Sequence, residues 1–171
     1  MRNKITPTGQ ERTFEEGELI VSKTDLRGII TYANDVFLKV ALYSEEEVLG
    51  QPHNMVRHPE MPRCVFKLLW DTLQQQKEIF AYINNLAKNG DNYWVFAHVT
   101  PSFDTNGNHV GYHSSRRVPH PDALAKVKPL YRELLAIEKS HSDPKTALEA
   151  STRKLNEVIA ETGTDYAGFV F

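Results

Sequence analysis

The sequence predicts an α+β domain: a five-stranded antiparallel sheet with helices on one face, followed by C-terminal helices. Three observations predict it. Five short β-rich runs occur as a pair and then a trio, with helical segments between the two groups. The trio is joined through Asn89-Gly90 and Asn106-Gly107, tight-turn signals that suit antiparallel neighbours. The intervening helices, clustered in the chain, are expected to collect on one face of the sheet.

Residues 1–18 are polar and turn-rich, with Pro7, Gly9 and Gly17, and read as an arm that caps the domain. From Leu19 to Thr24 and from Ile29 to Tyr32 the chain is β-branched, with Asp25-Leu26-Arg27-Gly28 as the turn between. Asn34-Asp35 is a helix start before Val36–Val40. Ser44 with Glu47 three residues later fits a capping box, and Gly50 closes that short helix. A longer helix is expected over about 62–75, with Pro62 in its first turn. Its apolar face is Val65, Phe66, Leu69, Trp70 and Leu73, at spacings of three and four. Strands follow at 79–87, 92–100 and 109–117. Pro119 to Asp122 then breaks the chain. Helices are expected over 122–138 and 145–161, separated by Ser142-Asp143-Pro144 and ended by Gly163. The aromatic tail 166–171 is expected to dock on apolar surface. Two readings of the C-terminal helices stand side by side: a dimer or partner element, or helices packed on their own domain. The expected division is an arm at 1–18, a domain at 19–118 and a helical extension at 119–171.

With 20 basic and 22 acidic residues among 171, the net charge is -2, so nothing points to nucleic acid or an anionic membrane as partner. A single cysteine excludes an internal disulfide framework and suits a reducing compartment. The start of the chain lacks the apolar run of a signal peptide, and no segment approaches the length of a membrane span. The expectation is a cytoplasmic protein without membrane insertion.

One stretch is chemically unusual. Between Gly50 and Pro62, His53, Asn54, Arg57, His58 and Glu60 fall among prolines, immediately before the apolar helix. A loop so rich in donors and acceptors, next to an apolar wall, is expected to form one side of a ligand pocket between sheet and helices.

The order of elements, together with Thr24-Asp25-Leu26, Ile30 to Phe37, the block Gly50-Gln51-Pro52-His53-Asn54-Met55-Val56-Arg57-His58-Pro59-Glu60-Met61-Pro62, and Lys88 to Val95, resembles a PAS domain. The similarity covers about residues 18–118 and is closest to the flavin-binding PAS domains of aerotaxis and energy-taxis receptors. The ending of the chain is more similar to short stand-alone PAS proteins, in which a sensor acts on a separate membrane chemoreceptor. The resemblance implies FAD as cofactor, redox or oxygen sensing, a homodimer, and a chemoreceptor or other signalling protein as partner.

Flavin adenine dinucleotide needs an apolar slot, amides for the polar edge of its ring, and cations or amides for its diphosphate. Asn85 offers a two-way amide for the ring edge, or is a strand-end asparagine near a turn. Trp70 packs on the cofactor or in the core, and Phe66 in the core. Arg57 offers a fork for phosphate, or an ion pair with Glu60 or with Glu45–Glu47. His53 and His58 bond phosphate or ribityl oxygens, or cap the following helix. Asn54 suits adenine or backbone, and Asn34, which the family places near the pocket, also suits a helix cap. Glu60 stands where the family usually has Asp. Ile79 stands where related flavin domains commonly carry a Trp beside the ring. That departure motivates the alternative, a cofactor-free or haem-binding PAS module that dimerises or docks.

Other chemistry is poorly supported. His53, His58 and Glu60 match no metal spacing. A haem would need an axial histidine, and His98 and His113 lie on strands. Met55 occupies the place of a photochemical cysteine, and Cys64 falls on the helix as a small hydrophobe. Without a nucleophile elbow, a Gly-rich phosphate loop or a kinase signature, no enzyme is expected.

Overall fold

A computed structural model describes residues 4–163. It contains the strands β1 (Ile20–Asp25), β2 (Ile30–Ala33), β3 (Ile79–Leu86), β4 (Asn92–Phe103) and β5 (His109–Arg117). The helices are α1 (Asp35–Ala41), α2 (Glu45–Val48), α3 (Arg63–Gln74), α4 (Pro121–Lys139) and α5 (Pro144–Glu161). The strands form one antiparallel sheet in the order β2-β1-β5-β4-β3. The fold class is as the sequence predicts. The strand β4 runs three residues further than the sequence suggests, because Pro101 to Phe103 continue to pair with β5.

Local signals account for most boundaries. Asn34 accepts from the Phe37 amide, Ser44 and Glu47 form the complete capping box, and Asp143 accepts from the Thr146 amide at the start of α5. Each such cap is worth about 1 kcal/mol. The stretch His53–Val56, which reads as loop in the sequence, is a single 3-10 turn between prolines.

Strand alternation divides the sheet into two faces. Ile20, Ser22 and Thr24 of β1 lie beside Arg116, Ser114 and Tyr112 of β5. These in turn lie beside Ala97, Val99 and Pro101 of β4, and Ala97 and Val99 beside Ala81 and Ile79 of β3. This inner face meets α1 and α3, and the core between them includes Phe37, Val40, Val56, Cys64, Val65, Leu69, Leu73 and Val95.

The arm is tied down by backbone bonds from Thr8 to Gly90 and between Gln10, Arg12 and Asn92. Gly90 is required there: its φ is 96°, and a Cβ would lie 2.3 Å from the Thr6 carbonyl oxygen. The two C-terminal helices pack on each other, and α5 packs on α3. The apolar stripe of α4 is buried within the chain at Val127, Leu130, Tyr131 and Leu134, and the Tyr131 hydroxyl donates to the Tyr82 carbonyl. Glu138 accepts from the first amides of α3, Arg63 N–H at 2.8 Å and Cys64 N–H at 3.2 Å. The tail expected at 166–171 lies outside the described residues. No described helix is long and apolar enough to cross a membrane.

Candidate functional site: a cavity between sheet and helix

A cavity of about 540 Å³ lies between the inner face of the sheet and α3, within the usual range for small-molecule sites. Its floor is formed by Ser22 and Thr24 of β1, Tyr112, Ser114 and Arg116 of β5, Val99 of β4, and Ile83 and Asn85 of β3. Phe66, Leu69, Trp70 and Leu73 of α3 face them, spaced so that one stripe of the helix borders the cavity. Pro52, His53, Asn54 and Arg57 close one side. Arg27, Arg63 and Lys67 stand exposed among the lining residues, and Leu148 of α5 completes the wall.

Asn85 is 5% exposed and borders the cavity, and its side-chain amide makes no hydrogen bond among the described residues. The amide opens on the cavity, so its donor and acceptor face a ligand placed there. Its backbone neighbours are fixed. Arg57 forms a bridge with Asn85, and the His58 amide donates to the Asn84 carbonyl at 3.4 Å. The loop is thereby fastened to β3.

Arg57 lays its guanidinium 4.0 Å from the centre of the Phe66 ring. Burial depresses its pKa, while Glu138 acts to raise it. Trp70, exposed on one side, meets Tyr112 edge-on with centroids 5.3 Å apart. Gly28 borders the same wall, where a Cβ would sit 3.5 Å from the Trp70 ring.

The polar floor is a cluster absent from the sequence reading apart from His53. Arg116 Nη2 donates to Ser22 Oγ at 2.7 Å, and Nη1 donates to His53 Nε2 at 3.0 Å. Donation from the guanidinium makes Nε2 an acceptor, and Ser22 Oγ lies 2.9 Å from the same nitrogen. Burial first, and then the Arg116 charge, push the His53 pKa down to about 3, so the ring is neutral at physiological pH. Arg116 is itself pushed down to about 10 by burial and remains charged.

Six of the nine residues singled out in the sequence border the cavity: His53, Asn54, Arg57, Phe66, Trp70 and Asn85. Three do not. Asn34 is occupied as a cap and brace, accepting from Phe37 and Val21 amides and donating to the Leu19 carbonyl. His58 is buried, and its Nδ1 accepts from the Glu60 amide at 3.0 Å. Glu60 is exposed. Ile79 is a buried residue opposite Val99 and is not part of the lining. His98 and His113 lie on the other face of the sheet, where His98 stacks on Phe80. No cluster of three metal-ligating side chains occurs among the described residues.

Comparison with known proteins agrees with this geometry. Residues 30–116, half of the chain, match the family described as PAS fold. The aerotaxis receptor of Escherichia coli K12 is 41% identical over 129 residues, which is 75% of this chain and 25% of that protein. Among solved structures, the PAS domain of a Colwellia psychrerythraea protein superposes with a TM-score of 0.54 at 26% identity, covering 58% of this chain and 85% of that one. A light-oxygen-voltage domain whose mechanism was probed with a flavin analogue gives 0.55 at 26% identity, covering 67% and 87%. The chain spans a quarter or less of the length of these curated relatives, such as the aerotaxis receptor and a nitrogen fixation regulatory protein of Klebsiella pneumoniae. The matched family, the strand order and the cavity beneath α3 together make this chain a member of the PAS family, a sensor domain related to aerotaxis receptors and light-oxygen-voltage domains.

Proposed function

We propose that this PAS domain holds FAD in the cavity beneath α3, senses redox state or oxygen through it, and signals to a chemoreceptor or another partner protein in the cytoplasm. The cavity-facing amide of Asn85 carries the reading. It is a buried group with both donor and acceptor capacity, set in an apolar wall. The walls suit each part of the cofactor. Phe66, Leu69, Trp70 and Ile83 offer an apolar slot for the ring, and Asn85 suits its polar edge. Arg57, with Arg27, Arg63 and Lys67 nearby, suits the diphosphate. A bound flavin supplies a ring that accepts and returns electrons. The chain's residues bind and orient it, exclude water, and respond to its change in charge.

The connected elements give a response a route. Arg57 and Asn85 are bridged, Arg63 is held by Glu138 and Pro144, and Leu148 reaches the cavity from α5. Two redox states that interact differently with these groups would shift the placement of α4 and α5, which we assign to partner contact, including homodimer formation. A second reading, a PAS module that docks without cofactor, is favoured by Ile79, an aliphatic residue where related domains place an aromatic. A haem in this cavity is disfavoured because His98 and His113 face away from it and His53, which borders it, has its Nε2 engaged by Arg116 and Ser22.

Purified full chain, incubated with FAD and desalted, should retain a flavin absorption spectrum. Arg57→Ala and Asn85→Ser should lose it while keeping their circular dichroism. Colourless wild-type protein after reconstitution would sink the flavin reading and leave the docking module.

A further inference from the structure

We propose that Arg116, anchored by Ser22 and His53, is an anion-recognising group in the cavity floor that favours the reduced, negatively charged flavin ring over the neutral oxidised ring. The proposal rests on the flavin reading of the cavity. Arg116 is 3% exposed and borders the cavity. Both of its hydrogen-bond acceptors, Ser22 Oγ and His53 Nε2, are neutral. Its Nε is buried and has no hydrogen-bond partner among the described residues. No carboxylate pairs with it among the described residues. The Phe37 ring centre lies 5.4 Å from the guanidinium and adds no charge. Of the other cations bordering the cavity, Arg27 pairs with Asp25 and Lys67 with Asp71, whereas Arg57 and Arg63, less buried than Arg116, have no ion pair among the described residues. Buried charges in folded proteins are normally paired. An arginine held rigidly in a cavity wall, with one N–H unused and no counter-charge, is arranged for an anion that arrives with the ligand.

A flavin ring supplies that anion conditionally. Two electrons and one proton added to the neutral oxidised ring leave it with one net negative charge, the electrons coming from an external donor. A floor cation therefore interacts more strongly with the reduced ring. By linkage, that difference in affinity is also a rise in the midpoint potential of the bound cofactor. The seat of redox selectivity is thus assigned to β1 and β5, where His53 of the Arg57 loop meets them.

The test is a potentiometric titration of FAD-loaded full chain, with dithionite as reductant and indicator dyes. Wild type should titrate above free FAD. Arg116→Gln should lose at least about ten-fold of the preference for reduced over oxidised FAD, which is a fall of about 30 mV for a two-electron couple. Arg116→Lys, which keeps the charge, should retain most of the rise. Should Arg116→Gln fail to fold, the wild-type potential alone decides, since a value at or below that of free FAD overturns the proposal. So does a potential unchanged in Arg116→Gln. Failure of wild type to take up FAD overturns the flavin reading, and this proposal with it. Uptake with an unshifted potential overturns this proposal alone.

Discussion

Beside the cavity, Arg27, Arg63 and Lys67 are exposed, and two of them already face a carboxylate. In its floor, Arg116 is buried and faces none among the described residues, and the amide of Asn85 opens on the cavity with no hydrogen bond among them. Exposed paired charges cost the fold little and contribute little, typically 0–1 kcal/mol. Buried polar groups without partners cost the empty fold far more and reward a ligand that completes them. The difference separates parts of the wall that attract a ligand from parts that select it.

The largest expected effect lies in the floor. In the cofactor-free chain, Asn85→Leu should leave stability unchanged or raise it, because the amide it removes opens on the cavity and makes no hydrogen bond among the described residues. The same change should abolish FAD binding. Chemical denaturation and a flavin binding titration on the same variant check both signs, and a fall in stability of the empty protein would show that Asn85 is satisfied within the fold.

Next comes the link from the C-terminal helices to α3. Glu138→Ala removes the carboxylate that accepts from the Arg63 and Cys64 amides, and should cost about 1–2 kcal/mol. Hydrogen exchange should show α4 and the start of α3 loosened together. Loosening confined to α4 would break the proposed route from cavity to helices.

A pH effect follows from His53. Its folded pKa is depressed to about 3 by burial and by Arg116, so between about 6.5 and 3 the unfolded chain binds the proton and the folded chain does not. Stability contributed by the neutral ring is present above the ordinary histidine range and is lost as pH falls through that window. Denaturant midpoints between pH 7 and pH 4 should decline in wild type and decline less in His53→Gln. Equal slopes would place His53 in contact with solvent.

The smallest effect belongs to the exposed cations. Lys67→Ala should weaken FAD by less than about five-fold, an effect that shrinks as salt rises. A larger, salt-independent loss would mean that Lys67 grips the cofactor as the floor does.

How much of this was legible in the sequence varied with distance along the chain. The strand pair, the capping box, the tight turns and the α3 stripe are local signals, and the structure follows them. His53, Asn54 and Arg57 stood out because they cluster within a few residues, and Trp70 and Phe66 because they sit on a periodic face. The cluster of Ser22 with Arg116 was not legible. Those residues are 94 apart, and they meet only through the pairing of β1 with β5. Arg116 and Arg117 are adjacent and chemically identical, and a slip of one residue in register would exchange the buried one for the exposed one. Asn34 and His58 were recognised as chemically capable, but whether a side chain borders a cavity or braces its wall depends on which backbone amides lie within reach.

FAD is the ligand proposed to complete the cavity floor. Thermal melting of the purified full chain with and without added FAD, read alongside the flavin absorption retained after desalting, tests it most directly. The expected result is retained flavin and a melting temperature that rises with FAD concentration, as mass action requires for a ligand of the folded state. A colourless protein whose melting temperature is unmoved by FAD would contradict it.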